Sequence, residues 1–347
     1  MASVAPFTHA ITAAKSAARS RSSSTALMAT GITSAALGLT AGWVAHRARR
    51  AEQEYPRRGA FVNVRGMPMR YLERGQGRPV VLLHGNVVHA EDFVASGLLD
   101  RLAQEHRVIA FDRPGFGLTG RPRGHLWTPA AQAELLREAL ATLGVTDAVV
   151  LGHSWGALVA LELALQSTSV RKLILVSGYY FPTPRLDVAI ASPAAIPLVG
   201  AVLRYTVSPL VARATLSKTV AAMFAPQPVP SNFLPMLSRE MLVRPSQIRA
   251  NAQDAAFMIP AAAGLTHRYA DLTLPVSIFA GDADRVVDVD AHARRLHAEL
   301  DHSELHVLPH VGHMAHYAAL DEIAAAATRE SRGHTMLAAA RTPSGMA

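Results

Sequence analysis

The sequence predicts an α/β fold: a doubly wound, mostly parallel sheet, interrupted once by a helical insertion and preceded by a separate N-terminal segment. Three observations carry this expectation. From about residue 60, short apolar runs alternate with stretches of helical length, the pattern of strand–helix–strand units. One such unit is Ala148-Val149-Val150-Leu151, then Gly152-His153-Ser154-Trp155-Gly156, then Ala157 to Ala164: a strand, a tight turn and a helix. The alternation stops between Tyr179 and about Asp271 and resumes with Pro275 to Ala280.

The elements follow in order. Phe61 to Val64 and Met67 to Glu73 read as two strands turned at Arg65-Gly66. Pro79 to Leu83 is near-continuously apolar, as a strand buried on both faces must be, and it ends in His84-Gly85-Asn86. A helix over about Ala90 to Gln104 and the strand Arg107 to Phe111 lead into the turn-rich Asp112-Arg113-Pro114-Gly115-Phe116-Gly117. Thr128 before Pro129 is a helix N-terminus, and Gly144 is the stop. Leu173 to Val176 is the next strand. The proline-rich region 179–271, with helical stretches such as Ala194 to Val207 and Val211 to Phe224, is the insertion. Pro275 to Ala280, a helix Val289 to Leu300, Leu305 to Leu308 and a final helix to about Thr328 complete the core. The histidines at 292–306 read as a solvated helix face and its flank, and 331–347 reads as a disordered tail.

The charge is concentrated at one end. Residues 1–58 hold Lys15, Arg19, Arg21, Arg47, Arg49, Arg50, Arg57 and Arg58 against Glu52 and Glu54, six of the net +8. The rest of the 347 residues is near neutral, so composition argues against a nucleic-acid-binding face on the globular part. There is no cysteine, hence no disulfide framework and no thiolate metal site. Residues 22–46 carry no Asp, Glu, Lys or Arg. Thr25 to Ala45 would reach roughly 31 Å as a helix, so a single-pass N-terminal membrane anchor at about 25–45 is expected. The first 51 residues also lack any acid, and the alternative is a removable organelle-targeting or export segment.

The chemistry centres on Ser154. A serine at the tip of so sharp a turn is strained, and Gly152 and Gly156 remove the side chains that would collide there. A hydroxyl attacks a carbonyl only when a base takes its proton, and the base should be a histidine held by a carboxylate. Two later loops follow strands and emerge on the same sheet edge: Gly281-Asp282-Ala283-Asp284-Arg285 and Pro309-His310-Val311-Gly312-His313-Met314.

Together, His84-Gly85-Asn86, Asp112 to Gly117, Gly152 to Gly156, Gly281 with Asp284, and Gly312-His313 make the chain resemble the α/β-hydrolase superfamily over roughly residues 60–328. The likeness is to the serine esterase and lipase branch with a helical cap. The resemblance implies an α/β-hydrolase core at 59–178 and 272–330 and a cap at 179–271. It implies Ser154 as nucleophile, Asp284 as acid, His313 as base, and the backbone N–H groups of Asn86 and Trp155 as oxyanion hole. Asp282 and Asp288 are the rival acids, and Ser177-Gly178 offers no carboxylate. His310, His313 and His316 stand three apart, but a catalytic base beside two loop or helix-surface histidines is preferred to a metal site. No metal or organic cofactor is expected. His84 and His153 are expected to pack and bond rather than transfer protons.

His84-Gly85-Asn86 and the tryptophan after the nucleophile are also similar to haloalkane dehalogenases, which, like epoxide hydrolases, use an aspartate nucleophile. Ser154 argues against both. The expected reaction is hydrolysis of a carboxylic ester or related acyl compound, with a hydrophobic small molecule as substrate. Carbon–carbon bond hydrolysis and cofactor-free haloperoxidation are alternatives on the same triad. A non-catalytic binding or membrane scaffold module is the alternative of another class.

Overall fold

In the computed structural model, residues 6–185, 188 and 192–329 are described, with side chains at Met28 and from Thr30 onward. Residues 1–5 and the tail expected at 331–347 lie outside the described residues. Eight strands form one sheet: β1 (Ala60–Val64), β2 (Met67–Arg74), β3 (Pro79–Leu83), β4 (Arg107–Phe111), β5 (Ala148–His153), β6 (Val170–Val176), β7 (Val276–Gly281) and β8 (Ser303–Leu308). Their order is β1-β2-β4-β3-β5-β6-β7-β8. β2 runs antiparallel to β1 and β4; every other pair is parallel. Arg65 and Gly66 take φ of 53° and 79°, the mirrored turn that matches the twist of the flanking strands.

The strand period of two sorts the core into two layers. Val81, Leu83, Val150 and Leu175 pack on one face with Leu135, Leu136 and Leu158 of the helices Pro129–Thr142 and Trp155–Gln166. Val80, Leu82, Val149 and Ile174 pack on the other with Phe93, Leu98 and Ile323. The helix expected over 90–104 is two short ones, Glu91–Ala95 and Leu98–Leu102, because Gly97 between them takes φ of 83°. Thr128 caps the next helix as expected: its Oγ1 accepts from Ala131 N at 3.2 Å. The strand order reverses between β3 and β5, which opens the crevice typical of such sheets at their carboxyl ends.

The N-terminal expectation is corrected. Pro6–Glu54 is one helix, but among the described residues no helix is long and apolar enough to cross a membrane. Gly31, Gly38, Gly42, Thr33 and Ser34 occupy positions where a spanning helix draws its transfer energy from Leu, Ile, Val or Phe. The last turns dock on protein. Ala51 and Tyr55 pack with Met241, Arg47 donates to Glu240 at 2.8 Å, and Glu52 accepts from Arg244 at 2.9 Å.

Between β6 and β7 lie the helices Val199–Tyr205, Val207–Phe224, Phe233–Leu237, Arg239–Leu242 and Pro245–Thr266. A fully buried ionic knot ties the last of them to the sheet. Arg113, just past β4, donates to Asp254 Oδ2 at 2.6 Å, to Gln132 Oε1 at 3.1 Å, to the carbonyls of His84 and Gly85 at 2.8 and 3.0 Å, and to Asn86 Oδ1 at 3.1 Å. Its guanidinium lies 4.5 Å from the ring centres of both Phe116 and Trp155. Asp254 also accepts from Arg121 at 2.9 Å, and its carbonyl accepts from Trp155 Nε1 at 2.9 Å. Asp254→Ala leaves Arg113 and Arg121 without their carboxylate, and a loss of about 3–5 kcal/mol is expected in urea unfolding. A loss below about 1 kcal/mol, the range of exposed ion pairs, would contradict this account of the knot.

His292 departs from the solvated face expected for it. It is buried, and its Nδ1 accepts from the N–H groups of Tyr180 and Phe181 at 3.1 and 3.3 Å. Burial, with Arg185 adding repulsion, pushes its pKa down to about 4. An unfolded imidazole takes up its proton near pH 6.5, so between about 6.5 and 4 the unfolded chain binds more protons at this site. Its contribution to stability is therefore complete above pH 6.5 and declines as the pH falls toward 4. Calorimetry should show Tm falling across that window in the wild type and a shallower fall in His292→Gln; equal slopes would refute the assignment.

Candidate active site

Ser154 stands between β5 and the helix Trp155–Gln166 and takes φ 54°, ψ −121°, a conformation costly for a residue with a side chain. Its N–H is fixed to the Val176 carbonyl of β6 at 2.8 Å. The flanking glycines are required by their surroundings. A Cβ at Gly156 would stand 2.2 Å from the Leu83 carbonyl oxygen, and one at Gly152 would stand 2.6 Å from both Ala157 Cα and the Gly156 carbonyl oxygen. The turn can form only where sheet and helix backbones meet without side chains between them. The serine side chain is left half-buried in the crevice between β3 and β5.

The loops after β7 and β8 bring two further side chains to it. His313 Nε2 lies 2.8 Å from Ser154 Oγ, and His313 Nδ1 lies 2.8 Å from Asp284 Oδ2. The carboxylate can only accept, so Nδ1 carries the proton and Nε2 is free to accept from the serine hydroxyl. Asp284 Oδ1 accepts from the N–H groups of Val286 and Val287 at 2.7 and 3.0 Å, which locks the carboxylate toward the imidazole. The rival acids sit elsewhere. Asp282 accepts from His310 N at 2.6 Å, and Asp288 accepts from Ala291 N at 2.7 Å, where it caps a helical turn.

Trp155 is the first residue of its helix, so its N–H has no acceptor within that helix. Gly85 runs against the serine: a Cβ there would stand 3.0 Å from Ser154 Cβ, and Asn86 follows, half-buried. The Asn86 Oδ1 accepts from Arg113 at 3.1 Å, which orients the side chain beside the serine loop.

The remaining histidines are structural in geometry. His84 Nδ1 donates to the Gly85 carbonyl at 2.7 Å, and its Nε2 accepts from Arg113 N at 3.0 Å. Burial and then Arg113 hold it well below the usual imidazole range, so it is neutral. His153 Nε2 donates to the His313 carbonyl at 3.2 Å, and burial and then His316 lower its pKa strongly. His316, expected on a loop or helix surface, is instead fully buried, because it pairs with the buried Asp92 at 2.9 Å rather than with Ser154 or Asp284.

Sequence reasoning missed two buried clusters with ligand-like spacing, Asp92/His153/His316 and His89/Glu91/Asp112. In the first, Asp92 is already taken by His316 and by Tyr317 Oη at 2.8 Å. The second holds its cations in protein form. Arg70 lies 3.0 Å from Asp112 and also bonds Glu91, and His89 donates to Glu91 at 2.7 Å and to the Leu237 carbonyl at 2.9 Å. Burial alone would lower the His89 pKa, but Glu91 outweighs it and raises it. A metal at the second cluster would have to displace Arg70, and one at the first would compete with Tyr317 for Asp92. A groove of about 660 Å³ lies apart from the serine, lined by Arg47, Tyr55, Arg58 and Glu240 among others, so groove size does not locate the chemistry here.

The profile described as "Alpha/beta hydrolase family" matches residues 80–326. The chain is 33% identical over 132 residues to a 2-hydroxy-6-oxo-6-(2'-aminophenyl)hexa-2,4-dienoic acid hydrolase of Metapseudomonas resinovorans, covering 37% of this chain and 44% of that one. It is 27% identical over 135 residues to haloalkane dehalogenase 2 of Mycobacterium tuberculosis, covering 39% and 46%. It thus spans about half the length of these curated relatives. An esterase from Exiguobacterium antarcticum superposes with a TM-score of 0.64 at 20% identity, covering 82% of this chain and 100% of that one, which is a likeness of fold. With the profile matched across most of its length, the chain belongs to the alpha/beta hydrolase family.

Proposed function

We propose that this protein is a serine hydrolase that cleaves a hydrophobic carboxylic ester or related acyl compound through an acyl-enzyme. The observation that carries the reading is the unbroken chain from Asp284 through His313 to Ser154, with both links at 2.8 Å. Ser154 Oγ attacks the carbonyl carbon while His313 Nε2 takes the hydroxyl proton, and Asp284 stabilises the imidazolium that forms. The carbonyl oxygen, now an oxyanion, accepts from the N–H groups of Asn86 and Trp155, each donor worth about 10²–10³ in rate. Collapse expels the alkoxide, which leaves with the proton from His313. Water then attacks the acyl-serine with His313 again as base, and the carboxylic acid departs.

A serine cannot replace the carboxylate nucleophile that haloalkane displacement needs, so the likeness to a dehalogenase does not extend to its chemistry. Carbon–carbon bond hydrolysis is the second reading. The 33% identity to a hydrolase named for a hexadienoic acid favours it, and it uses the same three side chains.

The full chain, whose N-terminal helix packs against the insertion, should be labelled by a fluorophosphonate probe and should turn over p-nitrophenyl esters. Ser154→Ala and His313→Ala should abolish labelling and lower kcat/KM by about 10⁴-fold or more. A folded wild type that is neither labelled nor active on any ester of a graded acyl series would refute the esterase reading. Labelling without ester turnover would move the assignment to carbon–carbon bond hydrolysis.

A further inference from the structure

We propose that Gln227, on the helical insertion, is a positioning residue for His313: its side-chain amide clamps the backbone of the loop that presents the histidine. The inference rests on His313 being the general base.

The loop after β8 leaves the sheet through His310, whose φ is 57°, a strained value for a residue with a side chain. Such a conformation persists only when its surroundings hold it. The core supplies part of the hold: Asp282 accepts from His310 N at 2.6 Å, and His153 Nε2 donates to the His313 carbonyl at 3.2 Å. The insertion supplies the rest. Gln227 Oε1 accepts from Gly312 N at 3.0 Å, and Gln227 Nε2 donates to the His310 carbonyl. One amide therefore bridges a donor and an acceptor two residues apart, on the residue next to His313.

The contact is close as well as polar. A Cβ on Gly312 would stand 2.2 Å from the Ala225 carbonyl oxygen and 2.9 Å from that of Phe224, so the insertion's backbone lies directly on the loop. Gln227 is itself anchored, its N–H donating to the Phe224 carbonyl at 2.9 Å. Phe224 in turn meets the ring of Tyr317, just past the catalytic loop, at 4.8 Å. Where the insertion sits thus fixes where Gly312 sits. Reaction rates respond to about 1 Å of misplacement by about a hundredfold. The links from His313 to Ser154 and Asp284 are both 2.8 Å and leave little room for drift.

The test compares Gln227→Ala and Gln227→Met with the wild type by rate of fluorophosphonate labelling and by kcat and KM on one p-nitrophenyl ester. Hydrogen exchange of the peptide spanning 309–314 and Tm are measured alongside. Methionine keeps the volume and discards both hydrogen bonds. The expected result is a fall of about tenfold or more in labelling rate and kcat for both variants. KM should stay within about twofold, exchange at 309–314 should rise, and Tm should stay near that of the wild type. A residue serving only fold stability would move Tm with the rate, and one serving only the substrate pocket would move KM. Either pattern, or Gln227→Met labelling at the wild-type rate, overturns the inference while leaving the serine-hydrolase reading intact. A wild type that is not labelled overturns that reading and this one with it.

Discussion

The buried cation of Arg113 is the interaction on which the rest of the site depends. It sits where five parts of the chain converge: the loop after β3, the loop after β4, the helix Pro129–Thr142, the first turn of the nucleophile helix and the long helix of the insertion. Its charge is matched by Asp254, its remaining N–H groups are spent on Gln132, on the His84 and Gly85 carbonyls and on Asn86, and its faces are covered by Phe116 and Trp155. A buried ion pair of this kind adds little net stability over an apolar packing, but removing one partner is costly. Its consequence here is geometric. The backbone of His84-Gly85-Asn86 cannot shift relative to Trp155 without breaking bonds to a desolvated charge.

Against that fixed wall, the strained Ser154 turn and the His313 loop are held by different means. The turn is forced by backbone contact, with Gly152 and Gly156 as the only residues that fit. The histidine loop is held by side chains from both sides, Asp282 and His153 from the core and Gln227 from the insertion. Strain at Ser154 and His310 is thus stored by surroundings that do not move independently. The wall that Arg113 holds and the loop that carries His313 are both tied to the same insertion.

All eight strands were legible in the sequence: the central parallel ones, buried on both faces, write near-continuous apolar runs such as Val80 to Leu83, while antiparallel β1 shows a turn signal and alternate burial instead. The Ser154 turn was legible because its glycines are demanded by sterics, and the loops that carry Asp284 and His313 because they follow strands on the same edge; the preference for Asp284 over Asp282 in its loop came from the family resemblance alone. The knot of Arg113 and Asp254 was not: its members lie 141 residues apart, and no local pattern marks a buried aspartate within an apolar helix. Burial of His292 was hidden for a similar reason, since its partners are backbone N–H groups of Tyr180 and Phe181 on a distant segment. The N-terminal run misled because the absence of charge was read as apolarity. Glycine, serine and threonine are uncharged but do not supply the transfer energy of a spanning segment. The docking of Ala51 and Tyr55 on Met241 is a tertiary contact that the segment's own sequence does not announce.

The central claim is a covalent intermediate on Ser154, and the most direct measurement is acid quenching during turnover of p-nitrophenyl butyrate, followed by peptide mass spectrometry. The account predicts a butyryl adduct on the peptide containing Ser154 that appears with the release of p-nitrophenol and is absent from Ser154→Ala. Turnover of the ester with no acyl adduct at any time point, or with the adduct on another residue, would contradict it.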